Sequence, residues 1–133
     1  MIEQCHVYII AHVESQTLVG PVKIGIAQEP TYRVLEIQTG NPRPLQVAAW
    51  FPLPSRSIAR QVETAFHEVM VPHRLMGEWF DMDVLSAILA MCQNIRACIT
   101  ETLPPDLQED ALLLTGVADR EDSAHRAIAS KAN

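Results

Sequence analysis

The stretch VKIGIAQEPTYR, residues 22–33, decides how the chain is read. Val22, Ile24 and Ile26 alternate with Lys23 and Gly25, the period-two pattern of a half-buried strand. Pro30 then opens a segment whose Val34, Leu35 and Ile37 are spaced for a short helix that stops at Gly40. Upstream, HVYIIAHV (6–13) is rich in β-branched and aromatic residues, and only ESQTLVG separates it from the second strand. The two are expected to form an antiparallel hairpin whose second arm is punctuated by Gly20 and Pro21. With Val7 and Ile9 on one face, Tyr8 and Ile10 take the other, which places Tyr8 and Lys23 to point the same way.

Downstream, NPRP breaks the chain and LQVAAWFPL (45–53) reads as an edge strand ended by Pro52 and Pro54. Ser55 or Ser57 then caps a helix over 58–70, whose Ile58, Val62, Ala65, Phe66, Val69 and Met70 form an apolar stripe with Glu63 beside it. VPHRLMGEWFDMD is expected as an irregular connector, its Trp79 and Phe80 capping the core between the second and third helices. Residues 84–103 predict a long amphipathic helix with Leu85, Ile88, Leu89, Cys92, Ile95 and Ile99 facing inward. The resulting class is α+β: a small three-stranded antiparallel sheet flanked by helices, with a helical C-terminal extension. The organisation expected is a core over 1–82, a helix over 83–103 that packs on that core or on a dimer partner, and an acidic, helical or partly disordered tail over 104–133.

The chain has 133 residues, enough for one domain with an appendage, and 48% of them are hydrophobic, which supports an aliphatic core. Its three cysteines include no CxxC pair, so neither a disulfide framework nor a zinc ribbon is indicated and a reducing, cytoplasmic setting is expected. The first residues lack a basic region and a long apolar run, so no signal peptide is expected. A net charge of −6 opposes non-specific phosphate binding, but the charge is unevenly spread: residues 1–80 balance at −1 and residues 81–133 at −5. His6, His12 and His73 have no metal-ligand spacing and read as surface residues or weak phosphate contacts.

VYII at 7–10, KIG at 23–25, Arg33 in the helix that follows, LEIQTGNPRPL at 35–45, VETAFH at 62–67 and GEWF at 77–80 together resemble the GIY-YIG nuclease superfamily. The likeness is to its phage-type branch, in which the second motif reads KIG and the core ends in a GEWF-like tetrad, and it covers about residues 6–82. Here VYI stands for GIY, KIG for YIG, and Asn94 lies too deep in the third helix to be assigned as the late asparagine many members carry. The resemblance implies a metal-dependent endonuclease that hydrolyses DNA phosphodiesters. Its alternative is an inactive module of the same fold that binds nucleic acid or a protein partner, with residues 84–133 available for a homodimer or another partner.

In that frame Arg33 offers a permanently charged fork to the phosphate, and Glu63 holds Mg²⁺ or Mn²⁺, hard cations that bind through one or two carboxylates plus substrate oxygens. Tyr8 takes the place of a general base or water-positioning group. A free phenol has a pKa of ~10, so a neighbouring cation is needed, and Lys23 on the same face is expected to lower it, to hydrogen-bond the attacking water or to bind phosphate directly. His67, one turn after Glu63, is a candidate proton shuttle, phosphate contact or orienting partner for the carboxylate, and Gly25, Tyr32 and Arg60 are candidate substrate contacts, Gly25 by leaving room for the substrate backbone. Taken singly, these residues have plain structural readings: Lys23 as a solvated strand residue, Arg33 paired with Glu36, Glu63 paired with Arg60.

Overall fold

The computed structural model describes residues 4–102; the tail expected over 104–133 lies outside them. The chain divides into two compact units, 1–95 and 96–133. The elements are β1 (Cys5–Glu14), β2 (Thr17–Ala27), α1 (Pro30–Gln38), β3 (Leu45–Leu53), α2 (Arg56–Val69), a 3-10 turn (Val71–His73), β4 (Arg74–Met76), β5 (Trp79–Phe80) and α3 (Val84–Thr102). They confirm the α+β class, but the sheet has five strands in the order β3-β1-β2-β5-β4, all neighbours antiparallel. The expected three strands are its first three positions. The added pair comes from the segment read as an irregular connector. β4 is three residues long with every side chain exposed and β5 only two residues, so neither leaves an alternating pattern in the sequence.

The hairpin is longer than its sequence signals. Its turn is confined to Ser15 and Gln16, both at positive φ (51° and 65°), the backbone of a two-residue turn that matches strand twist. Gly20 and Pro21, expected as punctuation, lie inside β2. Gly20 is required there by close packing, because a Cβ would collide with the backbone carbonyl oxygen of Met82.

The core gathers Val7, Ile9, Ile10, Val22, Ile24, Val62, Phe66, Phe80 and Met91, all essentially inaccessible. α2 starts where Ser55 accepts a hydrogen bond from the Ile58 amide at 3.2 Å, and buries Ala59, Val62 and Phe66. Phe66 meets Phe80 edge-on, their centroids 5.7 Å apart, so Phe80 does close the core as expected. Val69, expected inward, is 67% exposed at the end of the helix. The link from α1 to β3 is held by one side chain: the Gln38 amide donates to the carbonyls of Asn41 (3.2 Å) and Arg43 (3.0 Å), and its oxygen accepts from the Leu45 amide (2.7 Å).

α3 corrects the sequence reading more sharply. Leu85 and Leu89, assigned inward, are 66% and 56% exposed, and Cys92 is exposed too. The buried positions include Ala87, Met91 and Cys98, and the half-buried Asn94 donates to the Val62 carbonyl of α2 at 2.8 Å. A small residue at the contact lets helix and core approach closely, and that approach sets the buried face in place of the bulk of the leucines. No helix among the described residues is long and apolar enough to cross a membrane.

Candidate functional site

A cavity of about 420 Å³ opens between the hairpin, α1 and α2, lined by Tyr8, Ile26, Arg33, Arg56, Arg60, Glu63 and Glu78. Strand alternation builds its floor. Tyr8 lies opposite Gly25 and Ile10 opposite Lys23, so Tyr8, Gly25 and Lys23 do share a face. The room that Gly25 leaves is used by the protein itself. A Cβ there would collide with the Tyr8 hydroxyl and lie 3.0 Å from Glu78 Oε2, so the expectation of an open approach for substrate is corrected.

Lys23 is neither solvated nor aimed at Tyr8. Its ammonium donates to Glu78 Oε2 at 2.6 Å, with only 12% of the lysine side chain exposed. Glu78 is brought there by β5: Trp79 pairs with Lys23, Phe80 with Val22, and the Ile24 amide donates to the Glu78 carbonyl at 3.0 Å. Glu78 is the second residue of GEWF, whose Trp79 and Phe80 carry the structural reading of that tetrad.

Arg33 sits one turn into α1 and is hydrogen-bonded through its guanidinium to the Tyr8 oxygen. It also approaches Glu36 at 3.4 Å on the exposed side, so the plain structural pairing exists beside the site contact. Tyr8 itself is pushed up to about 12, chiefly by burial; the Arg33 hydrogen bond works against this, while the charges of Glu78 and Glu63 add to it. The expected lowering by Lys23 is therefore reversed. The neighbouring cation that acts on the phenol is Arg33, and it loses to burial and two carboxylates.

Glu63 lies next to the buried Val62 on α2. Burial raises it above the ordinary carboxylate range, the Glu78 charge raises it further, and His67, Arg60 and Lys23 pull it back. Among the described residues no ion pair closes between Glu63 and Arg60, so the plain pairing is not formed. His67 is outside the cavity lining. Its Nε2–H donates to the Ile24 carbonyl at 3.2 Å and its ring stands edge-on to Phe80 at 4.9 Å, so the ring nitrogen nearest the sheet is occupied. Tyr32 is 67% exposed and does not line the cavity. His12, expected at the surface, is buried; its Nδ1 lies 2.9 Å from the Pro21 carbonyl and its ring 5.2 Å from that of Trp79.

Two carboxylates thus face one cavity, and Glu63 bears the mark of an anion held near another anion in a partly dry place. That donor set suits a hard divalent cation that takes one or two carboxylates and fills its other positions with water and substrate oxygens. Among the described residues no group of three or more His, Cys, Asp or Glu converges on a metal position. The arrangement brings together Tyr8, Arg33, Glu63 and Arg60 from the sequence reading, adds Glu78 and Arg56, and leaves Gly25 and Lys23 behind the floor.

The family model described as the T5orf172 domain matches residues 5–100, which include every strand, both cavity helices and most of α3. No curated protein and no solved structure matches the chain.

Proposed function

The chain belongs to the T5orf172 domain family, and from that premise we propose that it is a metal-dependent endonuclease of GIY-YIG type that hydrolyses phosphodiester bonds in DNA. The observation that carries this reading is the convergence of Tyr8, Arg33, Glu63 and Glu78 on one open cavity from four separate elements of the sequence. Arg33 grips the non-bridging oxygens of the scissile phosphate, where its planar fork stabilises the charge that develops during displacement. Tyr8 accepts from Arg33 and keeps its own proton, so it serves as a donor that orients the attacking water or a phosphate oxygen. Glu63 would hold Mg²⁺ or Mn²⁺, with Glu78 alongside; when bound, such an ion polarises the phosphate and favours deprotonation of water. Lys23 fixes the Glu78 carboxylate over Gly25.

The direct test is conversion of supercoiled plasmid to nicked or linear DNA with Mg²⁺ or Mn²⁺ against an EDTA control. Glu63→Gln is expected to slow cutting by about 10³-fold with the fold retained. A second reading, a non-cleaving module that binds DNA or a protein, is favoured by one observation: the phenol offered as base stays protonated to about 12. Binding of DNA by wild-type protein with no cutting under either metal would select it.

A further inference from the structure

Arg56 and Arg60 stand one turn apart at the start of α2, both exposed. Among the described residues neither guanidinium closes an ion pair. Their situation differs from that of Arg33, which is engaged by Tyr8 and Glu36. All three line the same cavity. Three arginines meet two carboxylates there, an excess of one positive charge on a chain whose net charge is −6. The excess is concentrated on α2, away from the wall that carries Tyr8 and Arg33.

We infer that Arg56 and Arg60 form a second phosphate seat, so that the cavity takes two consecutive phosphodiesters of one DNA strand: the scissile one against Arg33 and Tyr8, its neighbour against α2. This rests on the reading of DNA as the ligand and deepens it. A seat on a separate element fixes the strand's direction through the cavity, because one phosphate alone leaves the chain free to pivot about Arg33. Arginine suits the task, since its fork takes phosphate oxygens in pairs and stays charged at every accessible pH.

The experiment measures binding of a short fluorescent DNA duplex by anisotropy across a sodium chloride series, in the Glu63→Gln background so that cutting does not interfere. Each phosphate contact contributes about 0.9 to the slope of log K against log salt. Arg56→Gln/Arg60→Gln is expected to flatten the slope by about 0.9, the share of one phosphate, and each single change by part of that, with circular dichroism unchanged because both positions are exposed on the helix. A double variant that keeps the parental slope overturns the seat while leaving the nuclease reading intact if wild type still cuts plasmid. A flattened slope in a protein that never cuts supports the seat and overturns the nuclease reading instead. No binding by the parental protein even at low salt overturns both.

Discussion

The two walls of the cavity are built on opposite terms. On the strand side, every polar group has a protein partner: Lys23 with Glu78, Arg33 with Tyr8, and the space above Gly25 filled by the phenol. On the α2 side, Arg56 and Arg60 are exposed and close no ion pair among the described residues. Charges paired within the protein set shape and local potential at a desolvation cost that is largest for the enclosed Lys23; unpaired surface charges cost the fold almost nothing. On this difference, substitutions in the strand wall should cost stability and substitutions of the α2 arginines should not.

The strongest strain on this division is Gly25→Ala. The new methyl meets the Tyr8 hydroxyl and lies 2.6 Å from its ring carbon Cζ, with little slack because Tyr8 is 1% exposed. A loss of about 3 kcal/mol is expected in denaturant unfolding, at the high end for overpacking, together with loss of activity. Arg56→Gln, by contrast, should leave the unfolding midpoint where it was. A Gly25→Ala protein of unchanged stability would show that the wall yields and that the contrast is false.

Smaller effects come from the Lys23–Glu78 pair. Glu78→Gln strands a lysine that is almost wholly enclosed, whereas Lys23→Met leaves a carboxylate whose side chain is 37% exposed and reaches water. After discounting for that exposure, about 2 kcal/mol is expected for the first and about 1 kcal/mol for the second. The double variant should be more stable than Glu78→Gln alone, a non-additivity that a double-mutant cycle reads directly.

The effect most specific to one group, and one seen only at alkaline pH, is the titration of Tyr8. The chain has two tyrosines, and the phenolate absorbance step belonging to Tyr8 should lie at about 12 and vanish in Tyr8→Phe. The folded-state value exceeds the unfolded value of 10.0, so the protonated phenol favours the fold below pH 10, and that contribution is lost as pH rises through about 12. Tyr8→Phe should remove this alkaline dependence and leave the acid side unchanged. A Tyr8 step below 10 would mean that a cation governs the site after all.

Much of the strand wall was legible because strands obey a period of two. The shared face of Tyr8 and Lys23 follows from counting, as does the helix carrying Arg33 from Pro30 and its apolar spacing. Glu63 came from resemblance to a family, not from periodicity. Glu78 escaped because its partner is 55 residues away and the strand beside it is two residues long, too short to imprint a pattern. The sign of the Tyr8 shift escaped for a different reason: sequence shows that a cation is near but not how deeply a phenol is enclosed or which carboxylates surround it. On α3, hydrophobic size pointed the wrong way, since Ala87 and Met91 are buried and Leu85 and Leu89 are not.

The bond from Asn94 to the Val62 carbonyl reaches across from α3 to the residue just before Glu63. A minimal fragment designed to stop at residue 82, where the sheet has ended, would therefore amputate a brace of the site's own helix and uncover the seat of Met91. The shortest piece worth expressing runs through residue 95, the boundary at which the first compact unit closes.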